Sequence, residues 1–441
     1  MRVITILFAC LIATMGTAAA QAPNPLLDGK MRTGVASCAT AGCHGDQVSG
    51  AGAGPVVGQN EYFKWTSSGQ AGAHSRAYEA LLTPWGKRIA QNLGIGPAHL
   101  ADECLDCHAD NTPVEMRAQR FQISDGVGCE ACHGGAEDWL AFHRVGAGHE
   151  ENIAAGLYPT EKPAARADLC LGCHLGSDRG DQFVSHRIMG AGHPRLKFEL
   201  DLYTAIQQHH TVDDDYRARK EAPSGTEVWA VGQAAALKRI LELLVDDDKG
   251  MDGVFPELVF FDCHSCHQPI SRSDALLSWR PNPSRALGPG APVLNDSNYI
   301  MLLAIMRGLD PALALELERN GMTLHQASQL GRASLVRAAR AMMETTDRAS
   351  ALIASTDFDS NAVNAGLLRA VTDDAMARRY TNFATAEQAL FAVQRLTAAS
   401  GRASPEMLSA VEAAAGHAAG PYDYNATRFR RALSDIKALA L

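Results

Sequence analysis

Ten of the 11 cysteines fall into five close pairs, and in every pair the residue after the second cysteine is histidine. The first pair is Cys38-Ala-Thr-Ala-Gly-Cys43-His44, with four residues between the cysteines. The other four pairs have two: Cys104-Leu-Asp-Cys107-His108, Cys129-Glu-Ala-Cys132-His133, Cys170-Leu-Gly-Cys173-His174 and Cys263-His264-Ser-Cys266-His267. With 16 histidines in 441 residues, five adjacent histidines by chance has odds on the order of one in ten million, so the arrangement is read as covalent haem attachment. Each thiol adds to one vinyl group of the macrocycle, which constrains the spacing of the two sulfurs. The adjacent histidine then reaches under the ring and gives its imidazole to the iron. The longer first loop is a variant that still spans both vinyls. Disulfides suit an even cysteine count in an exported protein, but they leave the histidines unexplained. Zinc also favours paired cysteines, but it does not require histidine directly after each pair.

The proximal ligands are therefore His44, His108, His133, His174 and His267, and the expected cofactors are five haem c groups with their iron. A second imidazole on each iron suits electron transfer, whereas methionine there would raise the potential. The distal candidates are His74, His143, His186, His193 and His149. His74 opens an apparent helix carrying Tyr78 and Leu81. His143 ends Trp139-Leu-Ala-Phe-His143, about ten residues after the third motif. His186 and His193 flank Gly190-Ala-Gly192, and His149 follows a similar Gly-Ala-Gly; glycine lets the backbone approach a flat ring closely. His209 and His210 are expected as an exposed pair, His99 as a turn residue and His264 as a surface residue. Met116, Met189 and Met251 are expected to be packing residues.

The stretch from Ser37 to about Leu200 resembles the multihaem cytochromes of the cytochrome c-554 type. The residues that carry the resemblance are Cys38 to His44 and His74-Ser-Arg-Ala-Tyr78, followed by the second motif. Next come Gly126-Val-Gly-Cys129-Glu-Ala-Cys132-His133-Gly, the fourth motif, and Gly190-Ala-Gly-His193-Pro. The resemblance implies a mostly helical fold, closely stacked haems, bis-histidine ligation at most irons, and His74, His143 and His193 as distal ligands. The fifth motif and the long tail depart from a four-haem pattern. Hydroxylamine oxidoreductase and pentahaem nitrite reductase stack haems similarly. The nitrite reductases typically place lysine after one cysteine pair, and no Cys-x-x-Cys-Lys occurs here.

The elements that must position these residues divide the chain into four parts. Residues 1–20 read as a signal peptide: a charged start, an apolar run over 3–15 and Ala18-Ala19-Ala20 before Gln21. Acylation at Cys10 is disfavoured, since it would leave an apolar core of only about seven residues. The expected location is the periplasm. Residues 21–280 form the haem-bearing part, with its cytochrome-like core at about 37–200. The proximal histidines are separated by 64, 25, 41 and 93 residues, and the short gap suggests that the second and third haems are neighbours. Apolar residues at helical spacing predict a helix over 226–245. Asp248, Asp252 and Gly253 loosely resemble a calcium loop but lack its closing glutamate, so a solvated turn is expected. Residues 281–294, continuing from Arg280-Pro-Asn-Pro, read as a linker.

Residues 295–441 hold no cysteine and predict a bundle of five to seven helices. Asp310-Pro311 and Ser404-Pro405 mark helix starts. Phe429, Leu433, Ile436 and Ala440, like Leu390, Val393 and Leu396, form apolar stripes. The fold class is mainly α, with little sheet: a multihaem cytochrome with stacked haems followed by this bundle. The bundle covers the last haem or offers a docking or homodimer surface.

Hydrophobic residues at 46%, charged residues at 20% and a net charge of −9 exclude disorder and argue against nucleic-acid binding. No later apolar run is long enough to span a membrane. These features point to an electron carrier serving redox partner proteins or a quinol-oxidising membrane complex. The alternative is an oxidoreductase acting on a small nitrogen or sulfur compound at one haem with an open sixth position.

Overall fold

The second, third and fourth cysteine motifs end short helices, so that each motif histidine closes the last turn. In the computed structural model, which describes residues 24–25, 28–46, 59–251, 253–267 and 281–440, three such helices are Asp102–His108, Cys129–His133 and Pro163–His174. The fold is mainly α. Among the described residues the extended pairings are isolated bridges, Arg32 with Arg117 and Phe261 with Leu294. The expected signal peptide, with Cys10, lies outside the described residues, as does Asp252 of the calcium-like turn. The turn itself is closed by the Asp246 carboxylate, which accepts the Asp248 and Lys249 amides at 2.9 and 2.7 Å.

The helix Gly225–Val245 matches the predicted span within one residue and is capped by the Ser224 side chain. Among the described residues beyond 281 seven α-helices follow: Ser297–Leu309, Pro311–Ala327, Arg332–Ala354, Asn361–Met376, Phe383–Ala399, Pro405–Gly416 and Ala426–Ala440. Both cap signals work as read. The Asp310 carboxylate accepts the Ala312 and Leu313 amides, and the Ser404 hydroxyl accepts that of Met407. In Ser297–Leu309 the run from Tyr299 to Met306 is buried on every side, which is the pattern of a helix at the centre of a bundle. The stripes of Phe429, Leu433 and Ile436 and of Leu390, Val393 and Leu396 are buried within the chain.

One apolar core joins the bundle to the haem-bearing part. Trp229, Leu237, Leu241 and Leu244 of Gly225–Val245 pack into the same cluster as the C-terminal helices. On the other side that helix meets Pro163–His174, which carries the fourth motif. Polar links cross the same seam. Arg239 donates to the Gly176 carbonyl at 3.0 Å and to Asp168 at 2.6 Å. Gln233 bonds Gln388 and Asn298, each at 2.9 Å. The expected linker 281–294 thus runs beside a continuous core.

Candidate haem sites

Glu130, inside the third motif, is buried, and its carboxylate accepts the amides of Thr33, Gly34 and Ala136 at 2.7 to 2.9 Å. These bonds fasten the third motif to the turn that opens the first. The second and fourth motifs are joined through Gln182. Its amide donates to the Asp106 carbonyl at 3.0 Å and contacts Cys173 Sγ at 3.3 Å. Cys132 of the third motif packs with Ala165 and Leu169 of Pro163–His174, the helix that carries the fourth. The contacts therefore order the motifs one, three, four, two. Motifs two and three, expected as neighbours, are also tied directly, for the Asp110 amide just beyond His108 donates to the Gly126 carbonyl at 2.9 Å. Their 25-residue connection crosses the His74 segment, where the Val127 amide donates to the His74 carbonyl at 3.1 Å. Gly126 makes that crossing possible: its φ is +74°, and a Cβ there would lie 2.6 Å from the same carbonyl oxygen.

Two imidazoles bound trans to one metal, each through a bond of about 2 Å, hold their ring centres about 6 Å apart. Each of the five motif histidines faces another histidine at that separation. His44 and His143 are 6.0 Å apart with planes within 9°. His108 faces His193 at 6.4 Å, His174 faces His74 at 6.1 Å and His267 faces His186 at 6.1 Å. His133 faces two rings, His210 at 5.9 Å and His209 at 6.2 Å. The ligand atoms of these last three lie within 4.8 Å of one another.

The hydrogen bonds separate the facing imidazoles from bystanders. A ligating histidine engages its second nitrogen with an acceptor, which leaves the first free for the metal. The Nδ1 of His108 lies 2.8 Å from the Ala77 carbonyl, that of His193 is 2.8 Å from the Pro194 carbonyl and that of His209 is 2.9 Å from the Gln207 carbonyl. The Nδ1 of His44 lies 3.0 Å from Glu61, and the Nδ1 of His210 lies 3.4 Å from the other oxygen of the same carboxylate. His149 is the opposite case. Its Nε2 is engaged by Glu161 at 3.0 Å, and it stands outside the facing pairs.

Ligation also requires neutral imidazole, and burial supplies it. Burial pushes His174 down to about 4, helped by His74, and His209 down to about 4, helped by His210. His133 is held well below the usual range by burial and then by His210 and His209. His74, His108 and His143 shift the same way, chiefly through burial. His44 is raised by its bond to Glu61, against the effect of burial. Burial opposes charge on Glu61 too, yet the bonds from His210 and His44 hold its carboxyl at about 2.

His209 and His210 are the residues that sequence reading set aside. They are half-buried against His133 instead of exposed. No local signal marks them, because they reach the third motif from about 76 residues downstream. Of the methionines, Met251 is exposed instead of packed. His264 is half-buried, with its ring 5.9 Å from Tyr422. Gly192, at φ +122°, precedes His193 and lies against the Trp85 and Ile89 side chains.

A cleft opens beside Cys263, lined by Leu175, Phe183, Met189, Phe260 and Phe383. Its apolar walls suit a flat macrocycle, and Phe383 brings the C-terminal helices to its edge. The ten described cysteines form no disulfide, so their thiols are available for thioether bonds. The residues present therefore fit haem attachment.

Residues 37–134 match the family model described as cytochrome c554 and c-prime. This segment is similar to that family of c-type cytochromes. The match spans the first three motifs and covers less than a quarter of the chain. The likeness points to haem c, with its iron, as the cofactor and to electron transfer as the broad activity. No curated protein and no solved structure matches the chain at the significance required. Among the described residues no helix is long and apolar enough to cross a membrane.

Proposed function

We propose that the protein is an exported pentahaem c-type cytochrome that passes electrons between redox partners through five bis-histidine irons. The observation that carries the reading is that every motif histidine faces a second imidazole at 5.9 to 6.4 Å. Under this reading the ten cysteines hold five haems. His44, His108, His133, His174 and His267 are the proximal ligands; His143, His193, His210, His74 and His186 are their respective distal partners. The haem supplies the one-electron chemistry, and the chain supplies attachment, ligation, burial and spacing. The motif order one, three, four, two gives the electron path, and the fifth motif joins it beside Leu175, next to His174. The signal-like leader supports a periplasmic location. Redox proteins or a quinol-oxidising membrane complex are the partners. A paired imidazole at every iron leaves no position for a small nitrogen or sulfur substrate, so the carrier reading ranks above the oxidoreductase reading.

The experiment is haem quantification with electron paramagnetic resonance on the oxidised holoprotein. Five haems per chain, all low-spin, are expected. A stoichiometric high-spin signal that shifts with nitrite or hydroxylamine would falsify the carrier reading.

A further inference from the structure

The five facing pairs differ in what holds their outer nitrogens. At the second motif both outer partners are backbone carbonyls, of Ala77 and Pro194. At the first and third motifs a carboxylate appears, and it is the same one. Glu61 is the first residue of the helix Glu61–Trp65 and is 7% exposed. Its Oε2 lies 3.0 Å from His44 Nδ1, and its Oε1 lies 3.4 Å from His210 Nδ1. The backbone fixes this placement. The Tyr62 amide donates to the His44 carbonyl at 3.0 Å, and the Asp46 amide donates to the Gln59 carbonyl at 2.7 Å. The two oxygens therefore serve imidazoles that belong to two different motifs.

We propose that Glu61 is a shared positioning residue for two irons, setting the donor strength of His44 at the first haem and of His210 at the third. This rests on the bis-histidine reading above. A carboxylate accepting the outer N–H makes an imidazole a more basic ligand than a carbonyl does. A more basic ligand favours the oxidised iron, so both sites are held at lower potential than the carbonyl-backed second site. Because one charge serves both, they shift together when it changes. Of the tandem histidines, His210 is the one in contact with Glu61, and it lies nearer His133, at 5.9 Å against 6.2 Å for His209. The bis-histidine reading therefore takes His210 as the distal ligand and His209 as the companion ring.

The test is a redox titration of the holoprotein followed by electron paramagnetic resonance. The wild type must first show five low-spin haems; failure there defeats the ligation reading itself. Given five, Glu61→Gln is expected to raise two midpoint potentials and alter two low-spin signals, with the other three unchanged. Glu61→Asp, which keeps the charge but withdraws it by one methylene, is expected to move the same two by less. Glu161→Gln removes the carboxylate from His149 and is expected to move none. A shift at one haem only, or at none, overturns the sharing. So does the same pair of shifts in Glu161→Gln, which would reduce the effect to a general loss of negative charge.

Discussion

At the scale of single residues, which nitrogen of a histidine is occupied decides its chemistry. His193 and His149 follow nearly identical Gly-Ala-Gly sequences, and local context cannot rank them. The fold gives His193 a carbonyl on Nδ1 and gives His149 a carboxylate on Nε2. The prediction follows directly. His193→Met should keep one haem low-spin but raise its potential, since a thioether favours reduced iron. His149→Ala should leave all five spectra unchanged. Spectra that respond to His149→Ala and ignore His193→Met would reverse the assignment.

At the scale of elements, the fifth motif depends on the start of the central helix Ser297–Leu309. The Asp262 amide donates to the Val293 carbonyl at 2.8 Å, and the Asn295 amide donates to the Phe260 carbonyl at 2.7 Å. Just beyond, Asp296 is buried and takes both Arg285 bonds, at 2.7 and 2.8 Å, with His325 Nε2 at 3.1 Å. Burial opposes its charge, but Arg285 and then His325 hold the carboxyl well below the usual range. A depressed carboxylate contributes stability above its unfolded pKa, near 4, and loses it as the pH falls toward the folded value. The melting temperature of the bundle should therefore drop as the pH falls below about 4. Asp296→Asn should cost about 3 kcal/mol at neutral pH, because Arg285 is left buried without its counter-charge. It should also flatten the acid response. A wild-type melting temperature that stays constant from about pH 5 to about pH 2 would contradict this account.

At the scale of the whole molecule, the C-terminal helices act as the wall of the haem-bearing part. Phe383 lines the cleft beside Cys263, and Tyr422 meets His264. Arg195 reaches Glu387 at 2.8 Å, and Gln388 donates to the Phe198 carbonyl at 3.0 Å. The apolar stripes that suggested a dimer surface are buried within one chain. Light scattering should accordingly return the mass of a single chain, 47.0 kDa for all 441 residues, plus any haems. A doubled mass would show that another face of the bundle pairs two copies.

The chemistry proposed for this protein was legible in its sequence because covalent haem attachment is a local event. Two thiols and a neighbouring imidazole must reach one ring edge, so the spacing survives in the linear chain. Helix caps at Asp310 and Ser404 and the span of Gly225–Val245 were legible for the same reason, since caps and periodicity act over one or two turns. Distal ligation has no such constraint. His186 is about 81 residues from His267, and His210 is about 77 from His133, so only the folded chain could bring them face to face. The order of the motifs was also a tertiary outcome, fixed by Glu130, by Gln182 and by the crossing at Gly126. The sequence by itself determined which motifs are marked for haem attachment. The tertiary structure decided which imidazole faces each motif histidine and which motifs are neighbours, because those depend on contacts between segments that the chain keeps far apart.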